Sequence, residues 1–206
     1  MANICSNESV VYGPKEDVAR FVSDVEAACE KSEYRSFYDV FQTLGFSEEE
    51  LDNKVFLNGA CFEQDKFELE RKDEDCWFVK FWYDTRWSPA YEALDELLSR
   101  FYPTLKEVTI AEEPGCEVYV NTDDEALFFD TQYDLDGAAC GKYTHDEDSW
   151  FADKESALNY LNDFQRRNGM PEFESLEKAE EWYGDESHNP NEDEEFFLHV
   201  HEYSER

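Results

Sequence analysis

The stretch Cys76-Trp77-Phe78-Val79-Lys80-Phe81-Trp82-Tyr83-Asp84 constrains the fold more than any other part of this chain. Side chains alternate along a strand, so Trp77, Val79, Phe81 and Tyr83 share one face. Four large apolar groups on one side require a core packed against them. Phe78 and Trp82 fall on the opposite side, so that side is at least partly covered too. The stretch reads as a central strand. Ser88-Pro89 then reads as a helix start, with Ser as N-cap and Pro at the first position. Ala90, Tyr91, Leu94, Leu97, Leu98 and Phe101 recur at helical spacing, and Pro103 lies just beyond.

On the N-terminal side, residues 4–12 read as a first strand ended by Gly13-Pro14. Val18, Phe21, Val22, Val25, Ala28 and Cys29 form one helical stripe, with Glu16 and Asp17 at the positive end of the helix dipole. Tyr34, Phe37, Tyr38, Phe41 and Leu44 have helical spacing before Gly45, and Ser47-Glu48-Glu49-Glu50 resembles a capped turn. This segment, within 32–62, reads as an insertion. Residues 55–62 and 66–72 read as extended, with a turn at 72–75.

Beyond the second long helix, residues 107–112 read as a strand ended by Glu113-Pro114-Gly115. Residues 116–120 and 126–131 read as an antiparallel hairpin with the acidic tip 121–125. Residues 134–148 are polar and loop-like, except for a short strand near 142–144. Ala157, Leu158, Leu161 and Phe164 predict a helix from about Asp153 to Asn168-Gly169. Phe173, Leu176, Ala179 and Trp182 predict a shorter one ending at Gly184. The alternation over 196–203 predicts a last strand.

The expected fold is therefore α+β: an antiparallel βαββαβ sheet with helices on one face, of ferredoxin-like type, carrying an added hairpin and a C-terminal α/β extension. The expected division is a domain over 1–135 and an acidic extension, packed on it, over 136–206.

Several short motifs carry a resemblance. Ala2-Asn3-Ile4-Cys5-Ser6-Asn7 precedes an alternating strand to Gly13. Trp87-Ser88-Pro89 precedes a helix that runs to Phe101-Tyr102-Pro103, and Glu113-Pro114-Gly115 makes a turn. Over roughly residues 2–135 the chain resembles the YubB-like, plasmid- and phage-borne proteins with a ferredoxin-like domain. The resemblance implies a βαββαβ core and a mobile-element setting. It implies no catalytic residue.

The 206 residues carry 52 acidic and 18 basic side chains, a formal net charge of -34. Such a chain lacks the cations that replace counterions on nucleic acid, and it is repelled by anionic membrane surfaces. No apolar run approaches the ~18 residues of a membrane span, the N-terminus has no apolar signal core, and six Cys without a Cys-x-x-Cys read as reduced thiols. Cys29, Cys76 and Cys116 read as small core residues. A cytoplasmic setting in the host cell is expected.

The charge is concentrated. Residues 112–155 hold 14 acids and two Lys, and residues 172–206 hold 13 acids and two basic residues, so 79 residues carry -23. Spread over a surface of about 10,000 Å², the whole charge is too dilute to imitate DNA; a face gathering both segments approaches it.

No acid/base couple, phosphate loop or nucleophile elbow is present, so no catalytic residue and no cofactor are expected. Asp134-x-Asp136-Gly137 lacks the bidentate Glu of a calcium loop. His199-x-His201 reads as a solvent-facing pair, with a metal pair as the alternative.

The expectation is an acidic interaction protein that mimics DNA and blocks a basic-grooved host nuclease, DNA-binding or defence protein. A general acidic accessory role and an enzyme or metal site assembled from distant residues are the alternatives. The expected contact residues are Asp123, Asp124 and Glu125 at the hairpin tip, then Asp130, Asp134, Asp136, Asp146, Glu147 and Asp148. Glu192, Asp193, Glu194 and Glu195 precede the last strand. Trp150 and Phe151, with Tyr133, are the aromatic anchors.

Overall fold

A computed structural model describes residues 3–52, 61–62, 66–139, 142–144, 149–189, 191 and 194–204. The chain divides into two compact units, Met1–Asp124 and Glu125–Ser204.

The first unit is built on the predicted aromatic strand. Its order begins β1 (Ile4–Gly13), α1 (Lys15–Cys29), α2 (Phe37–Leu44) and α3 (Glu48–Asp52). It continues β2 (Cys61–Phe62), β3 (Leu69–Arg71), β4 (Trp77–Arg86), α4 (Tyr91–Phe101), β5 (Lys106–Glu113) and β6 (Val118–Asn121). The strands form one antiparallel sheet in the order β2-β4-β1-β5-β6, with β3 also on β4. The aromatic strand is interior, as expected.

Val79, Phe81 and Tyr83 are buried with Val11 against the apolar stripes of α1 and α4. Phe37 of α2 joins them, its ring 4.5 Å from that of Tyr83. Two helices carry side-chain caps, of which the sequence suggests the one at Ser47. The Ser36 hydroxyl accepts the Asp39 N–H, and Ser47 and Glu50 cap each other's backbone reciprocally. At α4 the expectation fails. The Ser88 carbonyl accepts the Thr85 hydroxyl at 2.7 Å, Trp87 adopts φ 74, and the helix starts at Tyr91 behind Ala90. The Ser88-Pro89 pair forms the turn before the helix instead of its cap.

The predicted hairpin is displaced. β6 pairs with β5, across a single turn of 3-10 helix over Pro114–Cys116, and 126–131 is not a strand. The Asn121 side-chain oxygen accepts the Asp123 N–H, and the Thr109 carbonyl accepts the Thr122 N–H. These bonds turn the chain out of the ladder, and Ala126 then takes a left-handed backbone, φ 49. Of the five described thiols, none in a disulfide, Cys29 is buried, Cys76 half-buried and Cys116 exposed, so Cys116 is no core residue. The extended segment expected over 55–60 lies outside the described residues.

The second unit contains β7 (Tyr133–Ala139), β8 (Lys142–Tyr143), β9 (Trp150–Phe151), α5 (Lys154–Arg167), α6 (Leu176–Tyr183) and β10 (Phe197–Glu202). β7 is central: β10 lies on one side, and β8 and β9 lie on the other. Leu135, Ala139 and Leu198 pack on Ala157, Leu161, Phe164, Leu176 and Ala179 of the helices. Residues 134–139 are expected to belong to the polar loop 134–148. They form a strand because every residue from Tyr133 to Ala138 pairs with β10. That pairing moves the boundary between units from 135/136 to 124/125. Among the described residues, no helix is long and apolar enough to cross a membrane.

Phe81 is fully buried, whereas Trp77 is half-buried with the Lys15 ammonium 4.4 Å from its ring. Phe81→Ala is expected to cost about 3–5 kcal/mol in urea unfolding, and Trp77→Ala less than about half of that. Equal losses would contradict this account of the core.

Candidate functional site

Strand register in the second unit gathers three of the expected contact residues on one face. His201 lies opposite Asp134, and Asp134 opposite Trp150. His199 lies opposite Asp136 in the next row. Phe197 lies opposite Ala138, and Ala138 opposite Tyr143. Residues directly opposite in an antiparallel ladder hold their Cβ atoms about 4.5–5.5 Å apart. Each imidazole of β10 therefore stands beside a carboxylate of β7. The alternate residues, Leu135, Leu198 and Val200, turn to the helices, and this fixes the polar set on the outward face.

Two details position this face. A Cβ on Gly137 would come within 3.0 Å of Leu198 Cδ1 and of the Phe197 carbonyl, and 3.1 Å from Thr144 Oγ1. Glycine lets β10 and Thr144 close on β7. The Thr144 N–H and hydroxyl both donate to the Gly137 carbonyl, at 2.7 and 3.0 Å. Asp134 is buried and accepts the hydroxyl of the buried Ser149 at 3.0 Å. Its carboxylate is a structural member of the sheet, not a loop group.

Around that centre the rings are open. Trp150 is 49% exposed and Tyr143 56%. On β10 the rings of Phe197, His199 and His201 follow one another at 5.3 and 6.1 Å between centroids. The Tyr143 hydroxyl donates to Glu195 Oε2 at 2.6 Å, which brings an expected contact residue to the edge of the face.

Burial pushes the His201 pKa down, against the pull of Asp134, Asp136 and Glu180, and the neighbouring His199 adds to the depression. The face thus favours a neutral His201.

The other expected residues are placed differently. Asp123 is buried, so it does not crown an exposed tip. Asp124, Glu125, Asp130 and Glu194 are exposed, as is Glu195. Phe151 turns to the helix side, its ring 5.1 Å from that of Tyr160. Tyr133 also packs toward that core, and its hydroxyl donates to Glu202 at 3.1 Å. Asp146, Glu147, Asp148, Glu192 and Asp193 lie outside the described residues.

Asp134-x-Asp136 points two carboxylates to one side of a strand, a geometry that cannot wrap an ion as a calcium loop does. Among the described residues, no group of three His, Cys, Asp or Glu is arranged to hold a metal. The carboxylate partners of His199 and His201, and the places of Phe197 and Tyr143 beside them, escaped the sequence reading. The two-residue period over 134–138, matching that over 197–201, is the signal that reveals them.

Charge in the second unit is segregated. Its residues 125–204 hold 22 acids and five bases, net -17. Within the helical stretch 154–184 there are seven acids and four bases; the rest of the sequence from 125 to 204 holds 15 acids and Lys142 alone. Lys154, Arg166 and Lys178 are each paired with carboxylates of this same helical stretch, Glu177, Asp163 and Glu172, and Glu174.

No family model, curated protein or solved structure matches this chain.

Because the folded-state pKa of His201 lies below its unfolded value, protonation favours unfolding. The stability tied to it is present above about pH 6.5 and is lost as pH falls through the folded pKa. His201→Gln should therefore flatten the fall in thermal midpoint between about pH 7.5 and 5. An unchanged slope in a melting series would show that other groups set it.

Proposed function

We propose that this chain is a non-enzymatic, cytoplasmic interaction protein that presents a DNA-like array of carboxylates to a basic-grooved host protein. A nuclease, a DNA-binding protein or a defence complex is the partner class that fits. The observation that carries this reading is the segregated charge of the second unit, 15 acids against one base outside the helical stretch. A groove that neutralises phosphates with Arg and Lys attracts such a surface at long range and pairs with it at contact. Charges mainly speed association, so tight binding also needs an apolar anchor. The exposed Trp150 indole supplies one beside Asp134 and Asp136.

We also read the first unit as ferredoxin-like and as kin to the YubB-like proteins. The order β2-β4-β1-β5, antiparallel throughout, with α1 and α4 in the sequence positions of a βαββαβ core, supports this. A general solubilising role has one observation in its favour: the chain's -34 falls evenly, -17 from residues 1–124 with 205–206 and -17 from 125–204. It does not account for the segregation inside the second unit.

The test is capture of a partner from bacterial lysate, followed by competition with duplex DNA over a salt series. DNA is expected to displace the chain from its partner, and affinity should fall steeply with salt. Neutralising Asp124, Glu125, Asp130, Glu194 and Glu195 with Asn and Gln should weaken binding about tenfold or more and leave the melting temperature within a few degrees. Asp123 and Asp134 are excluded from that set because they are buried. Binding that is indifferent to DNA or to these substitutions would refute the mimicry.

A further inference from the structure

The second sheet ends on β10, whose far side no described strand covers. The Tyr203 N–H donates to the Gln132 carbonyl at 2.9 Å, so the odd-numbered residues of β10 turn their backbone polar groups to β7. Leu198, Val200 and Glu202 therefore turn theirs outward. Among the described residues, no other backbone group bonds to these three on that side. Such a row of donors and acceptors is a template for another strand.

The strand itself carries little that would repel one. Phe196-Phe197-Leu198-His199-Val200-His201 holds no formal charge, no Pro and no Gly, between Glu195 and Glu202. Its pairing with β7 is continuous, without a bulge. Sheet edges are commonly blunted by a charge, a proline or a bulge, and a short apolar run lacking all three pairs readily with its own kind.

The protection comes from another element. α6 packs on the same core as Leu198 through Leu176, Ala179 and Tyr183. Glu180, half-buried, follows Ala179 and reaches the edge: its Oε1 accepts the Val200 N–H at 2.9 Å. Val200 is the middle residue of the outward three.

We infer that Glu180 guards this edge: its carboxylate keeps β10 from pairing with β10 of a second copy of the chain. The strand specifies that occupant. The antiparallel register that pairs all three outward residues is centred on Val200, with Leu198 opposite Glu202 of the second copy and His199 opposite His201. It sets no carboxylate against a carboxylate, and its two central hydrogen bonds join the two Val200 residues. Glu180 already holds the donor on which those bonds depend. Pairing would displace two carboxylates and desolvate them beside the new ladder, which is costly. The inference does not depend on DNA mimicry.

The test is sedimentation velocity of the full chain over a concentration series in about 1 M salt, where the screening length is about 3 Å and net charge no longer holds copies apart. The parent chain should stay monomeric, as should Glu180→Gln, whose amide oxygen still accepts the Val200 N–H. Glu180→Ala should dimerise at least about tenfold more tightly than the parent. In its dilute monomer the Val200 amide should exchange with solvent about tenfold faster than in the parent. Adding Val200→Pro removes the central donor at an edge that tolerates proline, and should return the Glu180→Ala chain to monomer. Circular dichroism reports whether each variant is folded. If Glu180→Ala unfolds, Glu180→Asp, one methylene shorter and still charged, carries the same prediction. A folded variant that stays monomeric would overturn the inference, even with a lowered melting temperature, because that is the mark of a merely structural bond. So would a dimer indifferent to Val200→Pro, an unchanged Val200 exchange rate, or equal association of the parent or Glu180→Gln. The DNA-competition assay substitutes none of these residues, so failure of one reading does not mimic failure of the other.

Discussion

The phenol of Tyr83 is buried in the middle of the first unit, and the polar chain that satisfies it holds three strands in register. Its hydroxyl meets Ser9 Oγ at 2.9 Å, Ser9 meets Thr109 Oγ1 at 2.6 Å, and Thr109 donates to Glu107 Oε2 at 3.0 Å. A buried hydroxyl left without a partner costs about 1–3 kcal/mol. Burial also pushes the Tyr83 pKa well above its ordinary value, so the ring stays neutral. Ser9 is the hinge of the network: it faces Phe81 on β4 and Thr109 on β5 at once. A one-residue slip of either neighbour would turn Tyr83 or Thr109 to the other face and orphan the rest. The apolar core sets how strongly the sheet holds, and these hydroxyls set which pairing it adopts.

The same contrast explains what the sequence makes legible. The aromatic strand, α1, α4, α5 and α6 announce themselves through large apolar groups at periods of two or 3.6, because each has one face to bury. β7 does not. Its outward residues are Asp134, Asp136 and Ala138, its inward ones include Gly137, and Asp and Gly are depleted in strands. Its long ladder is with β10, a partner about 60 residues away. The opposite error falls at 126–131, where Leu127, Phe128 and Phe129 resemble a strand. There the side-chain and backbone bonds at Asn121 and Thr122 have already ended the ladder. The candidate site inherits the blind spot. Trp150 and the two aspartates could be named from composition, but the row that joins them to His199 and His201 exists only in the register.

A chain this acidic must spend some carboxylates on its own fold, and the structure shows where. Ser47 and Arg100 lower the Glu50 pKa to about 2, and Lys154 with the Ser175 cap lowers that of Glu177 to about 2. Asp153 caps α5 and is likewise held below the usual carboxylate range by the Ser156 N–H. These groups sit at helix starts or beside bases on helices, where the dipole and the cations favour negative charge. They are exposed, so each contributes little to stability. Their meaning is positional. Four of the five cations of the second unit lie within 154–184, and the rest of the unit is left with acids and Lys142.

That division makes the outward face of the second sheet more than a patch of charge. Carboxylates two residues apart on one strand repel each other, and stability alone would favour β-branched residues at 134 and 136. Here the repulsion is tempered by what stands across from each: His199 beside Asp136, His201 beside Asp134, and the Ser149 hydroxyl on the Asp134 oxygen. A neutral His201 imidazole can accept or donate a hydrogen bond without cancelling the negative field, whereas a lysine in its place would cancel it. The face therefore stays acidic while its members remain solvated or paired. It keeps an indole and a phenol open at its rim, each with an apolar body and one polar group.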